Sequence, residues 1–97
     1  MKERTVRTKF GPAIIQEATY PNGRIALRLI STDDGSPIAT LTCNLPNVNL
    51  EPGEFCVKTW SENESIADDC MDSGLFIDTG KRFPTGHCVV EVWRFKE

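Results

Sequence analysis

The chain has 97 residues, 39% hydrophobic and 26% charged, with a formal net charge of −3. That suits one soluble domain with a single core, and no run comes near the 18 consecutive apolar residues that a membrane-spanning helix needs. The negative balance argues against nonspecific nucleic-acid binding as the main activity, because phosphate neutralisation needs clustered positive charge.

The first nine residues are basic through Lys2, Arg4, Arg7 and Lys9, with no apolar run behind them. They do not read as a secretory signal, so the expected compartment is the cytoplasm. Residues 1–9 are expected to be a flexible arm or an edge strand of a single domain covering residues 1–97. A strand follows over Ala13 to Tyr20. Pro21-Asn22-Gly23 comes next, and Asn-Gly suits the two positive-φ positions of a type I′ hairpin turn. The returning strand runs from Arg24 to Ile30. Its Ile25, Leu27 and Leu29 share one face, while Arg24, Ala26 and Arg28 share the other, wet face.

Asp33 to Pro37 is a second turn. It leads into Ile38 to Leu45, where Ala39, Leu41, Cys43 and Leu45 alternate with polar Thr40, Thr42 and Asn44, the pattern of a half-buried strand. Pro46 is expected to end it by removing a ladder donor. Asn47 to Gly53 is a loop, and Glu54 to Trp60 a further strand. The run Cys88 to Phe95 is the most β-prone of all. Its unbroken apolar character predicts a central strand or one covered on both faces.

Ser61 to Ser73 is the one segment with helical grammar. Ser61 and Glu64 have the S-x-x-E spacing of a capping box. Glu62 and Glu64 fall in the first turn, where the helix dipole favours negative charge. Gly74 suits the left-handed position just past the end. Ile66, Ala67, Cys70 and Met71 form an apolar stripe, and Glu64, Asp68 and Asp72 follow one another at i+4 steps on the opposite side. Two features run against stability. The like charges cost about 0.2–0.5 kcal/mol per pair, and Asp68, Asp69 and Asp72 crowd the end that the dipole reserves for cations. The ridge is therefore either neutralised by the chain's own basic residues, such as those of the N-terminus, or presented to a partner. Asn63 falls within the apolar arc and is expected to point inward and bond to backbone.

Asp78 to His87 reads as a polar connection before the last strand, a long hairpin with Lys81-Arg82 at a solvated tip. Its glycine and lysine lack the G-x-x-x-x-G-K-[ST] frame of a phosphate loop. Cys43, Cys56, Cys70 and Cys88 include no C-x-x-C clip and are expected as reduced, small core residues. His87 is the chain's single histidine and stands beside a cysteine without a spacing-matched acid, a weak basis for nucleophilic catalysis. Trp60 and Trp93 read as core residues, with Trp60 the better interface candidate at the strand-to-helix junction.

Several motifs, taken in order, resemble the DUF4313 family, small proteins of unknown function from phages, plasmids and conjugative elements. They are Tyr20-Pro21-Asn22-Gly23-Arg24 with Ala26-Leu27; Asp34-Gly35-Ser36-Pro37; Leu41-Thr42-Cys43-Asn44-Leu45-Pro46; Val57 through Glu64; and Asp78-Thr79-Gly80-Lys81-Arg82 followed by Pro84-Thr85-Gly86. They span about residues 20 to 95, while residues 1 to 19 match loosely. Cys43 and Cys88 stand where the family has other small residues. The resemblance implies a mobile-element context, in which small acidic binders that act against host defence occur.

The expected architecture is α+β, an antiparallel sheet of about five strands with one amphipathic helix packed on a face. The expected role is a non-enzymatic protein-binding module of a mobile genetic element, with an unidentified host or element-encoded protein as partner and a counter-defence role. The contact residues would be Trp60, Asn63, Glu64, Asp68, Asp72, Lys81 and Arg82. The alternative is a nucleic-acid or nucleotide-binding module using Arg24, Arg28, Lys81 and Arg82. No catalytic residue, metal or cofactor is nominated.

Overall fold

The computed structural model describes residues 4–45, 47–61 and 63–96. The expected strand end at Pro46, the first-turn acid Glu62 and the basic Lys2 lie outside the described residues. Eight strands and one helix follow in the order β1 (Thr5–Thr8), β2 (Gly11–Thr19), β3 (Ile25–Ser31), β4 (Pro37–Thr40), β5 (Thr42–Cys43), β6 (Glu54–Val57), α1 (Asn63–Asp72), β7 (Phe76–Thr85) and β8 (Cys88–Phe95). All pairings are antiparallel. The α+β class with antiparallel pairing holds, but the strands form two four-stranded sheets, β1-β2-β3-β4 and β5-β6-β8-β7, in place of one sheet of about five.

The division into two sheets is made at one residue. Leu41 donates its N–H to the Leu27 carbonyl of β3 (2.9 Å) and accepts from the Lys58 N–H just past β6 (3.0 Å). The single strand expected over residues 38–45 therefore turns a corner at Leu41, as strands that pass between packed sheets do. The corner also breaks the expected alternation. Leu41 is fully buried, and so is Thr42, which was placed on the polar face. Thr42 can be buried because its Oγ1 accepts the Leu27 N–H (3.1 Å) and lies 3.0 Å from the Tyr20 hydroxyl.

Both sheets and the helix share one core. Val6, Ala13, Leu27 and Leu29 meet Phe55, Val57, Phe76 and Trp93, with Ile66, Ala67 and Cys70 entering from α1. The body of the helix packs against β1 and β7, edge strands of the two sheets. A smaller apolar layer lies on the other face of the second sheet, where Trp60, Leu45, Val48, Leu50 and Phe83 pack on Cys56, Val90 and Val92. As its sequence predicts, β8 is central and covered on both faces.

Three local expectations are corrected. The β2–β3 turn is not type I′, because Gly23 (φ 86°) has a positive φ and Asn22 does not. Gly23 N–H donates to the Tyr20 carbonyl (2.8 Å), and Tyr20 N–H to that of Arg24 (2.7 Å). Pro21, with φ fixed near −65°, suits the second position of a type I turn. The left-handed residue is thereby moved one place on, which gives a three-residue loop closed by glycine.

At the helix start, Ser61 has φ 56°, whereas a hydroxyl cap needs an extended backbone. The Glu64 N–H accordingly goes to the Ser61 main-chain oxygen (3.1 Å), so the expected capping box is replaced by a backbone turn. The far end behaves as expected, with Gly74 at φ 79° and its N–H on the Met71 carbonyl (3.3 Å).

The polar connection read over Asp78 to His87 is mostly strand. β7 pairs along the length of β8, and the turn is confined to Gly86-His87. Between Asp78, opposite Trp93, and Arg82, opposite Glu91, the residues Thr79, Gly80 and Lys81 face Val92 alone. That bulge gathers the Asp-Thr-Gly-Lys-Arg run, whose turn-like composition hides the strand. Lys81 and Arg82 therefore sit at mid-strand, not at a hairpin tip.

Candidate functional site: the outer face of the helix

The apolar stripe of α1 determines what its other side shows. With Ile66, Ala67 and Cys70 buried, the i+4 series Glu64, Asp68 and Asp72 is turned fully outward, and all three are exposed. Asp69 lies on the flank toward β1, where its Oδ2 accepts the Lys9 main-chain N–H (3.3 Å). Between helix and strand, Thr5, Arg7, Asp69, Asp72 and Ser73 line an open depression of about 410 Å³.

Among the described residues, the basic N-terminus makes no ion pair with this ridge. Arg4 turns away, pairing with Glu17 (3.5 Å) and lying over the Phe95 ring at 3.8 Å. Lys9 gives the ridge its backbone, while its ammonium lies 5.3 Å from the Phe10 ring centroid. Arg7 shares the depression with Asp69 and Asp72 without an ion pair. Among the described residues, no ion pair reaches Glu64, Asp68, Asp69 or Asp72. Phe10, the most exposed large apolar residue among those described, stands in the adjoining β1–β2 turn.

The remaining candidate contact residues are separated from the ridge by their bonds. Asn63 points inward, as its place on the helical wheel predicts, and donates from Nδ2 to the Thr40 carbonyl (2.8 Å). Trp60 is half-buried in the second apolar layer. The Lys81 ammonium contacts Glu54 Oε1 at 2.8 Å. Burial pushes the Glu54 carboxyl up, but hydrogen bonds from Lys81 and from the Glu51 N–H, with the charges of Lys81 and Arg94, outweigh it and hold the group below its ordinary value of 4.5. Arg82 donates to both carboxylate oxygens of Asp78 (2.9 and 2.7 Å) and lies 3.8 Å from Glu91. The contact with Arg82 holds Asp78 below its ordinary value and raises Arg82 in return.

The basic residues of the alternative reading do not form one free patch. Arg24 is half-buried and donates to the Val48 carbonyl (2.7 Å), while Arg28 donates to its cross-strand partner Gln16 (2.6 Å). Lys81 and Arg82 belong to the other sheet and its carboxylates. His87 is exposed in the β7–β8 turn. Among the described residues, no three His, Cys, Asp or Glu side chains gather as metal ligands would, and no helix is long and apolar enough to cross a membrane.

Sequence reasoning missed the partners that hold the cations. The Glu54–Lys81 pair joins β6 to the β7 bulge across 27 positions, and only the sheet order brings those residues together. Phe10 carried a readable signal, an aromatic residue directly before a glycine turn. No family model, no curated protein and no solved structure matches this chain.

Proposed function

We propose that this chain is a non-enzymatic protein-binding module whose contact surface is the outer face of α1. The observation that carries the reading is the state of Glu64, Asp68 and Asp72. They are exposed and joined by no ion pair among the described residues, at spacings that cost the helix about 0.2–0.5 kcal/mol per like-charged pair. A ridge that works against its own helix, and that the fold leaves open, suits a surface used in recognition. Such a surface suits a partner with complementary positive charge, which would be steered to it over a distance set by the salt concentration. Lys81 and Arg82 act in this reading through the sheet, and Asn63 and Trp60 by fixing the helix start, so the direct contacts reduce to the ridge and its Phe10 flank. The DUF4313 resemblance supplies the setting we infer, an accessory protein of a mobile element that acts on a host or element-encoded protein, with counter-defence as its role.

The test is affinity capture with the wild-type chain and with the triple variant Glu64→Lys, Asp68→Lys, Asp72→Lys, followed by binding measurements on the recovered protein at low and high salt. The wild type should retain a partner that the triple variant loses, with affinity falling as salt rises. Equal affinity of both chains for every recovered partner would remove the reading.

A further inference from the structure

The four cysteines differ in what stands opposite them. Cys70 is buried in the main core, and Cys88 lies at the start of β8 facing Thr85. Cys43 and Cys56, both free thiols, are direct cross-strand partners on β5 and β6. Side chains of directly opposed residues leave the sheet on the same face, and both of these meet the second apolar layer with Trp60 and Phe83. Cys56 is buried and Cys43 is half-buried, so one thiol can be approached from solvent and the other cannot.

The ladder geometry sets their separation. The bond from Lys58 N–H to the Leu41 carbonyl flanks the Thr42–Val57 pair. In an antiparallel ladder this makes Thr42–Val57 the pair without mutual bonds and Cys43–Cys56 the hydrogen-bonded pair, with Cα atoms about 5.5 Å apart. That lies inside the Cα range of a disulfide. The Cβ atoms of such a pair stand toward the upper end of about 4.5–5.5 Å, beyond the mean of about 3.8 Å that a bridge prefers. Closing the bridge needs roughly an ångström of approach. β5 can supply it, being two residues long and followed by a loop that reaches to β6.

We propose that Cys43 and Cys56 are a reversible modification site, closing to a strained intramolecular disulfide when the chain meets a diffusible low-molecular-weight disulfide such as oxidised glutathione. Half-exposed Cys43 attacks first. Its sulfur bonds to one glutathione sulfur, the glutathione S–S bond breaks, and the other half leaves as a thiol after taking up a proton. Cys56 then attacks the Cys43 sulfur, loses its own proton and expels the second glutathione. Two protein thiols are oxidised and one glutathione disulfide is reduced to two thiols. Strain in the product makes it readily reduced again, the behaviour of labile rather than structural bridges. Closure ties β5 to β6 one residue beyond the buried Thr42 and two beyond the Leu41 corner, so its mechanical effect falls on the junction of the two sheets. This inference stands apart from the ridge and its partner.

Burial, with Cys56 adding to it, pushes the Cys43 thiol up to about 11, and burial also raises Cys56. The reaction is therefore slow near neutrality and should quicken about tenfold per pH unit below that value, since the thiolate is the attacking form.

The test incubates the full chain with graded ratios of reduced to oxidised glutathione at several pH values, traps free thiols by alkylation, and maps the peptides without reduction. The expected product is an intramolecular Cys43–Cys56 link, reversed by dithiothreitol, retained in Cys88→Ser and lost in Cys43→Ser. Circular dichroism of each variant confirms that it is folded. A chain oxidised in its native state and then unfolded for alkylation that carries both thiols free at every ratio would overturn the inference. So would a product that stops at a mixed disulfide on Cys43, or a link that forms only after denaturation.

Discussion

Asn63 Nδ2 donates to the Thr40 carbonyl across 2.8 Å, and this bond fastens the first residue of α1 to the end of β4, one residue before the chain changes sheets. Without a hydroxyl cap from Ser61, the helix start is held by backbone turns and by this amide. Asn63→Ala removes the donor and leaves a half-buried carbonyl beside the Leu41 corner. The expected loss is about 1–3 kcal/mol of folding stability, or roughly 4–8 °C in Tm per kcal/mol for a domain of this size. Thermal and denaturant unfolding monitored by circular dichroism would measure it. An unchanged midpoint would mean that the bond contributes nothing net.

The other side of the corner depends on Thr42. Its Oγ1 accepts the Leu27 N–H at 3.1 Å in a site 1% exposed, with the Tyr20 hydroxyl 3.0 Å away. Thr42→Val keeps the shape and removes the acceptor, leaving a core amide unpaired. A loss of about 1–3 kcal/mol is expected, and about 0.5–1.5 kcal/mol for Tyr20→Phe. Because the two side chains share one hydroxyl contact, the double variant should cost less than the two single losses together. Equilibrium urea unfolding of the four chains completes the cycle, and strict additivity would contradict a shared contact.

What could be read from the sequence divides along physical lines. Alternation identified β3, an unbroken apolar run identified β8, and helical periodicity identified the buried stripe of α1, because each is a local pattern imposed by the faces that are covered. The inward Asn63 was legible for the same reason, a polar residue standing inside an apolar arc. Chain-reversing features were read less well. The Tyr20–Arg24 loop was misassigned because Asn-Gly suggests type I′ while the preceding proline enforces the type I alternative. β7 was hidden because its bulge carries the composition of a loop. The change of sheet at Leu41 had no local signature at all, since it depends on Leu27 and Lys58, which lie 14 and 17 positions away. On the candidate site, the ridge could be read from α1 itself, but not the engagement of Lys81 and Arg82 by Glu54 and Asp78.

The Glu54–Lys81 contact gives the fold a pH dependence with a definite sign. Glu54 is held below its ordinary value of 4.5, so its contribution is present above that pH and is lost as pH falls through the lowered folded value. Asp78, also lowered, adds a loss in the same direction below its ordinary 3.8. Lys81→Met removes the ammonium's hydrogen bond and charge and leaves the Glu51 N–H and the Arg94 charge alone against burial, so the carboxyl should be held down less than in the wild type. The variant should then lose less stability than the wild type as pH falls below about 4.5. Denaturation midpoints between pH 3 and pH 8 would show it, and parallel profiles for the two chains would refute the assignment.

Reversing single charges on the ridge should separate stability from recognition. Asp68 stands between Glu64 and Asp72 at i+4 on both sides, so Asp68→Lys turns two repulsive spacings into attractive ones. Each repulsion removed is worth about 0.2–0.5 kcal/mol, with a comparable gain from each attraction. Asp72→Lys places a cation in the last turn, which holds no basic residue, and the dipole should add about 0.3–1 kcal/mol. Both variants are therefore expected to melt slightly above the wild type at low salt, with the gain shrinking as salt is added. If the outer face of α1 is the contact surface, the same variants should bind the captured partner more weakly while being the more stable proteins. A drop in binding then cannot be put down to unfolding. Destabilisation of either variant would mean that the carboxylates are held by contacts within the chain, and the argument for a presented ridge would fail with it.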